Sequence, residues 1–490
     1  MRLSDLTKGG GAAAQTQVPD LDITGLTADS RDVRPGFLFA ALPGAKADGQ
    51  AYIDEAIAKG AVAILAPPTV RAQHLDDGIA LVTDPMPRHR LALFAAQFYQ
   101  GQPDTIAAVT GTNGKTSVTH FVHQLWQWLG HRSAALGTLG IMASNREPCT
   151  GLTTPDPVRL HECLADLKQG GVNHLAIEAS SHGLDQHRLD GVHIAAAAFT
   201  NLSRDHLDYH KTMGAYLDSK LRLFSELLRQ GGIAIVDAGS EQCEKITEIV
   251  RDRGLVVLTY GREDGDIQCT KAILRGDTWS LNIQAFGTTY KTDFALPGAY
   301  QVNNALCALA ITVACGAAPH TVVPLLSRLT GVPGRMQVVG QRSNGATVII
   351  DYAHTPDALV SSLQAARPYA TNRLVLVFGC GGDRDPGKRV EMGKAAARCA
   401  DRVIVTDDNP RSEDPAAIRA QAMEGCPKAV EVSDRHEAIR VGVAMLQDGD
   451  LLLVAGKGHE QGQIIDGETF PFDDVTVARA AITAQNGAAA

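Results

Sequence analysis

Aromatic residues make up only 5% of this 490-residue chain, and no apolar run approaches the ~20 residues of a membrane-spanning helix. The longest candidates are strand-sized pieces such as Ile194–Phe199. Positive charge is also scarce: the net charge of -9 repels nucleic acid and anionic membrane, so an anionic ligand must be held by local cations, backbone amides or metal. The nine cysteines, scattered from Cys149 to Cys426, form neither the paired spacing of a zinc site nor a compact disulfide framework, and read as reduced thiols in a cytoplasm. The stretch Gly9–Ala14 lacks the apolar core of a secretory leader and reads as flexible, so neither export nor membrane insertion is expected. No internal repeat is evident. Nothing calls for a partner chain, and a monomer acting on small molecules is expected.

What the chain has is apolar content, 44% against 20% charged, over a length too great for one core. From Asp22 to about Pro85, short strands and turns surround a helix at Tyr52–Lys59 and a strand at Ala61–Ala66, the pattern of a small α/β unit. A helix around His89–Tyr99 runs into the turn cluster Gly101-Gln102-Pro103, which sets a first boundary near residue 100. Beyond it, apolar runs at Thr105–Thr110, His174–Ala179 and Ile194–Thr200 alternate with helical segments such as Ser117–Leu129. That alternation predicts a parallel sheet covered by helices. A second punctuation, Gly331-Val332-Pro333-Gly334, precedes another alternating set at Ala346–Asp351, Leu374–Gly379, Arg402–Thr406 and Leu451–Ala455. The expected organisation is three α/β domains, 1–100, 101–331 and 332–490. Most polar clusters follow an apolar strand, where open parallel sheets bind ligands.

The segment Thr110-Gly111-Thr112-Asn113-Gly114-Lys115-Thr116 follows a strand and opens a helix. Its backbone N–H groups can wrap phosphates, Lys115 can neutralise charge, and the Thr116 hydroxyl can face Mg²⁺. Val109 stands where the generic phosphate loop has glycine, so the loop is a variant. Glu178 ends a strand and His206 follows the next; both could reach a metal bridging ATP phosphates, although a strand-end Glu or His is more often a structural hydrogen-bonder. Lys220, in the amphipathic run Tyr216–Leu227, reads from the residues alone as a solvated helix lysine.

The ordered series TGTNGKT (110–116), LTTPDP (152–157), EASSHGLDQHR (178–188) and NLSRDHLDYH (201–210) resembles the Mur ligase family, enzymes that add amino acids to a UDP-sugar carrier in bacterial cell-wall synthesis. The resemblance continues through Asn303-Asn304, Gly334-Arg335-Met336, Asp351–Pro356 and GCGGDRDPGKR (379–389), nearly the whole chain. It implies a small N-terminal domain, a central phosphate-loop ATPase domain with a parallel sheet, and a Rossmann-like C-terminal domain. It further implies that Thr110–Thr116 with Asn304, Arg335, Asp351 and His354 bind ATP, and that Thr116, Glu178 and His206 hold Mg²⁺. Lys220 would carry a CO₂-derived carbamate as a further metal ligand, which lysine permits and arginine does not. Ala28 and Ser30 would contact the uridine diphosphate, and Thr153, Thr154, Ser180, Gln186 and Arg188 the muramoyl-peptide. Two departures stand out: Gln337 replaces the usual Glu, and Ala45-Lys46-Ala47 replaces a His-containing loop.

Within the family the match is to members that add meso-diaminopimelate, because of Asp408-Asn409-Pro410-Arg411, with Arg384, Gly456 and Glu460 as further contacts. A planar guanidinium can clamp the distal carboxylate of that amino acid, a group lysine lacks. The implied chemistry is phosphorylation of a substrate carboxylate by ATP and aminolysis of the acyl phosphate, with Lys115, His206 and modified Lys220 as the catalytic set. The alternatives are a lysine-adding relative, a ligase resembling folylpolyglutamate synthase, and a regulatory module that hydrolyses ATP as a switch.

Overall fold

The computed structural model describes residues 1–8, 20–44, 48–71, 78–143, 152–276 and 278–487. Gly9–Ala14 and Ala45-Lys46-Ala47 lie outside these. The first sheet has four parallel strands in chain order, Gly25–Thr27, Phe37–Ala40, Ala63–Ala66 and Ala80–Thr83. Helix Pro87–Tyr99 covers one face through Leu91, Phe94 and Ala95, and the proline at its first turn supplies a φ already suited to a helix.

The central sheet has ten strands. Its middle is parallel, in the spatial order Val256–Gly261, Leu228–Asp237, Ile194–Phe199, Thr105–Thr110, His174–Glu178, Ser133–Gly137. These strands read as short apolar runs because helices bury both faces, among them Lys115–Trp128 and the almost wholly buried Ala299–Ala314. The expectation of a parallel sheet fails at both edges. Gly140–Ala143 returns antiparallel to Ser133–Gly137, and Thr278–Ala285 pairs antiparallel with Ile267–Arg275 and Thr288–Phe294. The last turn places Phe286 at φ 47° and Gly287 at φ 81°, a two-residue reversal that only an antiparallel pair can use.

The third sheet has six strands, in the order Gln337–Gln341, Thr347–Asp351, Leu451–Ala455, Leu374–Phe378, Arg402–Val405, Val430–Glu431. The first pairs antiparallel and the rest parallel, with apolar clusters on both faces.

The first and second units are tied at Asp190. Its side chain is 2% exposed, receives Arg222 Nη2 on both oxygens at 2.7 Å and His187 Nδ1 at 2.9 Å, and pairs with His89 of helix Pro87–Tyr99. Two imidazoles and a carboxylate could in principle hold a metal, but Arg222 already neutralises Asp190, so the cluster is a clasp between units.

Candidate active site

Three parallel strands deliver the central polar groups. Thr105–Thr110 ends at the phosphate loop, His174–Glu178 ends at its own carboxylate, and Ile194–Phe199 leads to the loop holding Asn201, Asp205 and His206. Val109 belongs to the strand: it is fully buried and in register with Glu178 and Ala198, so the turn begins later than in a generic loop. Thr110 is buried at the strand end. Thr112 N donates to Asn201 O at 2.9 Å and Asn113 N to Asn201 Oδ1 at 2.9 Å, fixing the loop to its neighbour. Gly114 has φ 89°, and a Cβ there would stand 2.6 Å from Asn304 Oδ1, so glycine is required where helix Ala299–Ala314 meets the loop. The helix starts at Lys115, two residues earlier than Ser117, because Gly114 makes the turn directly into it.

Lys115 Nζ donates to Gly111 O at 3.0 Å and Thr112 O at 2.8 Å. Lys220 Nζ reaches the same Gly111 carbonyl at 2.8 Å, 4.3 Å from the Tyr216 ring centroid. Lys220 is 1% exposed, which overturns its reading as a solvated lysine: helix Met213–Arg222 turns that residue inward beside buried Tyr216 and Ser219. Burial pushes the Lys220 amine well below its ordinary pKa, the charge on Lys115 adds to the effect, and burial lowers Lys115 as well.

Glu178 is 1% exposed; its carboxylate accepts Thr138 N at 2.8 Å and Thr138 Oγ1 at 3.1 Å. Burial lowers His206 to about 4, leaving a neutral imidazole able to ligate, on a backbone at φ 54°. Thr116, Glu178, His206 and Lys220 line one cavity of about 490 Å³. A buried carboxylate, a hydroxyl and a neutral imidazole facing one space form an oxygen-rich donor set that fits Mg²⁺.

The C-terminal unit closes the same cavity with Arg335, Asp351 and His354, opposite Asn304. The Arg335 guanidinium lies 4.3 Å from the Tyr352 ring centroid, and its buried Nε has no partner among the described residues. Asp351 accepts Met336 N at 2.8 Å, Ala353 N at 2.9 Å and Ser362 Oγ at 2.7 Å, so it pins the Gly334–Met336 turn to a strand end. His354 Nδ1 lies 2.9 Å from Tyr352 O, and Asn304 Nδ2 donates to Gln301 Oε1 at 2.8 Å. Gln337 takes part through Oε1, which accepts Gly334 N at 2.8 Å, a bond an amide makes as well as a carboxylate.

Thr153 and Ser180 line this cavity, whereas Thr154 is fully buried behind it, donating to Glu178 O at 2.8 Å. Arg188 holds Thr154 O at 2.6 Å and Gln186 Oε1 at 2.7 Å, so Gln186 and Arg188 form a bracket that is not part of the lining. In the N-terminal unit, Ala28 is exposed and Ser30 donates to Glu55 Oε2 at 3.2 Å; neither lines the cavity. Sequence reading missed Thr138, Asn201 and Tyr216. Thr138 could have been found from the short apolar strand Ser133–Gly137 that precedes it.

A second cluster occupies the carboxyl ends of Leu374–Phe378, Arg402–Val405 and Leu451–Ala455. Arg411, at φ 55°, donates through Nη1 to Gly382 O at 2.8 Å. Asn409 Nδ2 donates to Glu460 Oε2 at 2.9 Å. Gly456 has φ 118°, and a Cβ there would lie 2.6 Å from Asp408 Oδ2. Pro410 is buried, and exposed Arg384 sits on the facing loop, bonded to Asp383 O at 3.4 Å. That loop approaches the phosphate-loop side through Arg204 and Asp385, 3.5 Å apart.

Family models match along the chain: the Mur ligase family catalytic domain over residues 22–99, the Mur ligase middle domain over 109–312, and the Mur ligase glutamate ligase domain over 334–458. A UDP-N-acetylmuramoyl-L-alanyl-D-glutamate--2,6-diaminopimelate ligase of Agrobacterium fabrum is 48% identical over 96% of both chains. Another of that name, from Bradyrhizobium diazoefficiens, is 48% identical over 99% of this chain and 100% of its own. A solved structure of a ligase of the same name aligns with TM-score 0.71 at 33% identity over 99% of each chain. MurF of Acinetobacter baumannii, at TM-score 0.65 and 18% identity over 92% of this chain and 95% of its own, shares the fold. The chain belongs to the Mur ligase family.

Proposed function

We propose that the protein joins meso-2,6-diaminopimelate to the D-glutamate carboxyl of UDP-N-acetylmuramoyl-L-alanyl-D-glutamate, using ATP, in the cytoplasm and as a monomer. The observation that carries this reading is the Asn409, Arg411 and Glu460 cluster, a cation and a carboxylate poised for an amino acid head, in a chain 48% identical to ligases bearing that name. Residues 1–100 then hold the uridine diphosphate through Ala28 and Ser30, residues 101–331 hold ATP, and residues 332–490 present the amino acid.

In this scheme the substrate carboxylate attacks the γ-phosphorus of ATP, ADP leaves, and the amine attacks the resulting acyl phosphate with loss of phosphate. Lys115 neutralises charge on the transferring phosphoryl group. Thr153, Thr154, Ser180, Gln186 and Arg188 position the muramoyl-peptide. Asn304, Arg335, Asp351 and His354 hold the nucleotide, and Arg384, Asp408, Asn409, Pro410, Arg411, Gly456 and Glu460 orient diaminopimelate. Mg²⁺ held by Thr116, Glu178 and His206 would neutralise the phosphates. The Lys220 amine, its pKa depressed by burial, would add to CO₂ as the free amine: the N–C bond forms, one C=O electron pair moves onto oxygen, the nitrogen gives one proton to solvent, and a neutral group becomes an anion suited to the same ion.

ADP release should require both the UDP-muramoyl dipeptide and an amino acid, with meso-diaminopimelate preferred over L-lysine on the order of 100-fold. Equal use of L-lysine would move the assignment to a lysine-adding ligase, and a fast ATPase indifferent to both substrates would overturn it.

A further inference from the structure

Lys457, between Gly456 and Gly458, is a buried cation that the scheme above does not use. Its side chain is 0% exposed, so it touches no ligand. Nζ donates to Asn409 Oδ1 at 2.9 Å and to Glu460 Oε2 at 2.9 Å, and Asn409 Nδ2 donates to that same Glu460 oxygen at 2.9 Å, closing a triangle. Asn409 Oδ1 also accepts Ile464 N at 3.0 Å, and Ile464 O in turn accepts Arg411 N at 3.0 Å. The ammonium and the Ile464 N–H together fix which way the Asn409 amide points, and the ammonium with Asn409 Nδ2 fixes which Glu460 oxygen faces inward. The strand Gly462–Ile465 carries that order on to Arg411.

We infer that Lys457 is a positioning residue for amino acid recognition, holding Asn409 and Glu460 ready for a zwitterionic ligand head. The inference rests on the reading given under Proposed function. With the ammonium in place, Glu460 Oε2 is neutralised, and Oε1, which accepts no hydrogen bond among the described residues, is left for a ligand ammonium. Without it, the Asn409 oxygen keeps only the Ile464 N–H, and the part-buried Glu460 carboxylate keeps only the neutral Asn409 Nδ2 donor and loses its cation, so both groups are held less firmly.

The test is steady-state kinetics on the full chain. Lys457→Met, unbranched and of similar length, should raise KM for meso-diaminopimelate about tenfold or more, with KM for ATP and for the UDP-muramoyl dipeptide moving less than about threefold. In a Glu460→Gln background the same substitution should cost far less, because its target is already gone. Lys457→Gln, which keeps a donor without the charge, should fall between wild type and Lys457→Met, and it supplies the same reading should Lys457→Met fail to fold. Equal losses for all three substrates, or equal costs with and without Glu460, would reduce Lys457 to a structural residue. Wild-type protein that forms no ADP with meso-diaminopimelate would instead overturn the proposed function, and this inference with it.

Discussion

Two lysine amines on one backbone carbonyl cannot both be comfortable cations. Lys115 and Lys220 share Gly111 O at 3.0 and 2.8 Å, with Lys220 1% exposed, and the deeper amine gives way first. A neutral amine is a nucleophile toward CO₂, and the anion so formed would relieve the repulsion from Lys115. Lys220→Ala should lower the rate of ADP formation on the order of 100-fold, with partial recovery on adding bicarbonate or another small carboxylate. Lys220→Arg should show no recovery, since guanidinium is not carbamylated. No rescue of Lys220→Ala would remove the carbamate from the scheme. Arg411 acts at the other cluster, where the Gly382 carbonyl orients its guanidinium. Arg411→Ala should weaken use of meso-diaminopimelate by about thirtyfold, the loss of roughly one charge-assisted pair, while ATP binding measured by calorimetry stays within about twofold. Equal loss of both would contradict its role.

Helix Lys115–Trp128 carries a different liability. His120 and His123 lie inside it, and burial lowers each to about 4, with His123 adding to the effect on His120. Both are near 6.5 in an unfolded chain. Between those values the unfolded state binds the extra protons, so stability is full above about pH 6.5 and falls as pH drops through about 4. Burial lowers His174, His206 and His459 to about 4 as well, so His120→Leu should remove roughly a fifth of the slope these five imidazoles give, read as urea midpoints at pH 7 and pH 5; an unchanged slope would place the acid sensitivity elsewhere. Nothing in the spacing of this helix announced two buried imidazoles, because every face of it is covered. The phosphate loop was legible for the opposite reason: its glycines, lysine and threonine do local backbone chemistry that a linear string records. The buried state of Lys220 was not legible, since Asp218, Ser219 and Arg222 beside it suit a solvated face. The turn at Phe286-Gly287 was missed because phenylalanine is not the residue expected at positive φ, whereas the parallel strands showed themselves as unbroken apolar runs.

At the scale of the molecule, the clasp at Asp190 decides how the N-terminal unit is held against the phosphate-loop unit. Burial would raise this carboxyl, but hydrogen bonds from His187, His89 and Arg222 hold it well below the usual carboxylate range. Its contribution is therefore present at all pH above about 4, its unfolded value, and is lost only as pH falls toward the folded value. The dependence expected between pH 7 and pH 5 thus belongs to the buried histidines and not to the clasp. Asp190→Asn keeps the shape and removes the charge, taking from Arg222, whose side chain is 12% exposed, its carboxylate at 2.7 Å and leaving it only the half-exposed Glu226 at 2.6 Å and Leu184 O. Breaking one side of such a buried pair should cost about 3 kcal/mol in urea unfolding at pH 7. His89→Ala severs only the link to helix Pro87–Tyr99 from a ring 37% exposed, so its global cost should stay below about 1 kcal/mol. What His89→Ala should change is local: hydrogen exchange should quicken over residues 20–99 while the strands Leu374–Phe378 and Leu451–Ala455 stay protected. Uniform protection in both variants would mean that the apolar contacts of helix Pro87–Tyr99, not the clasp, fix the N-terminal unit in place.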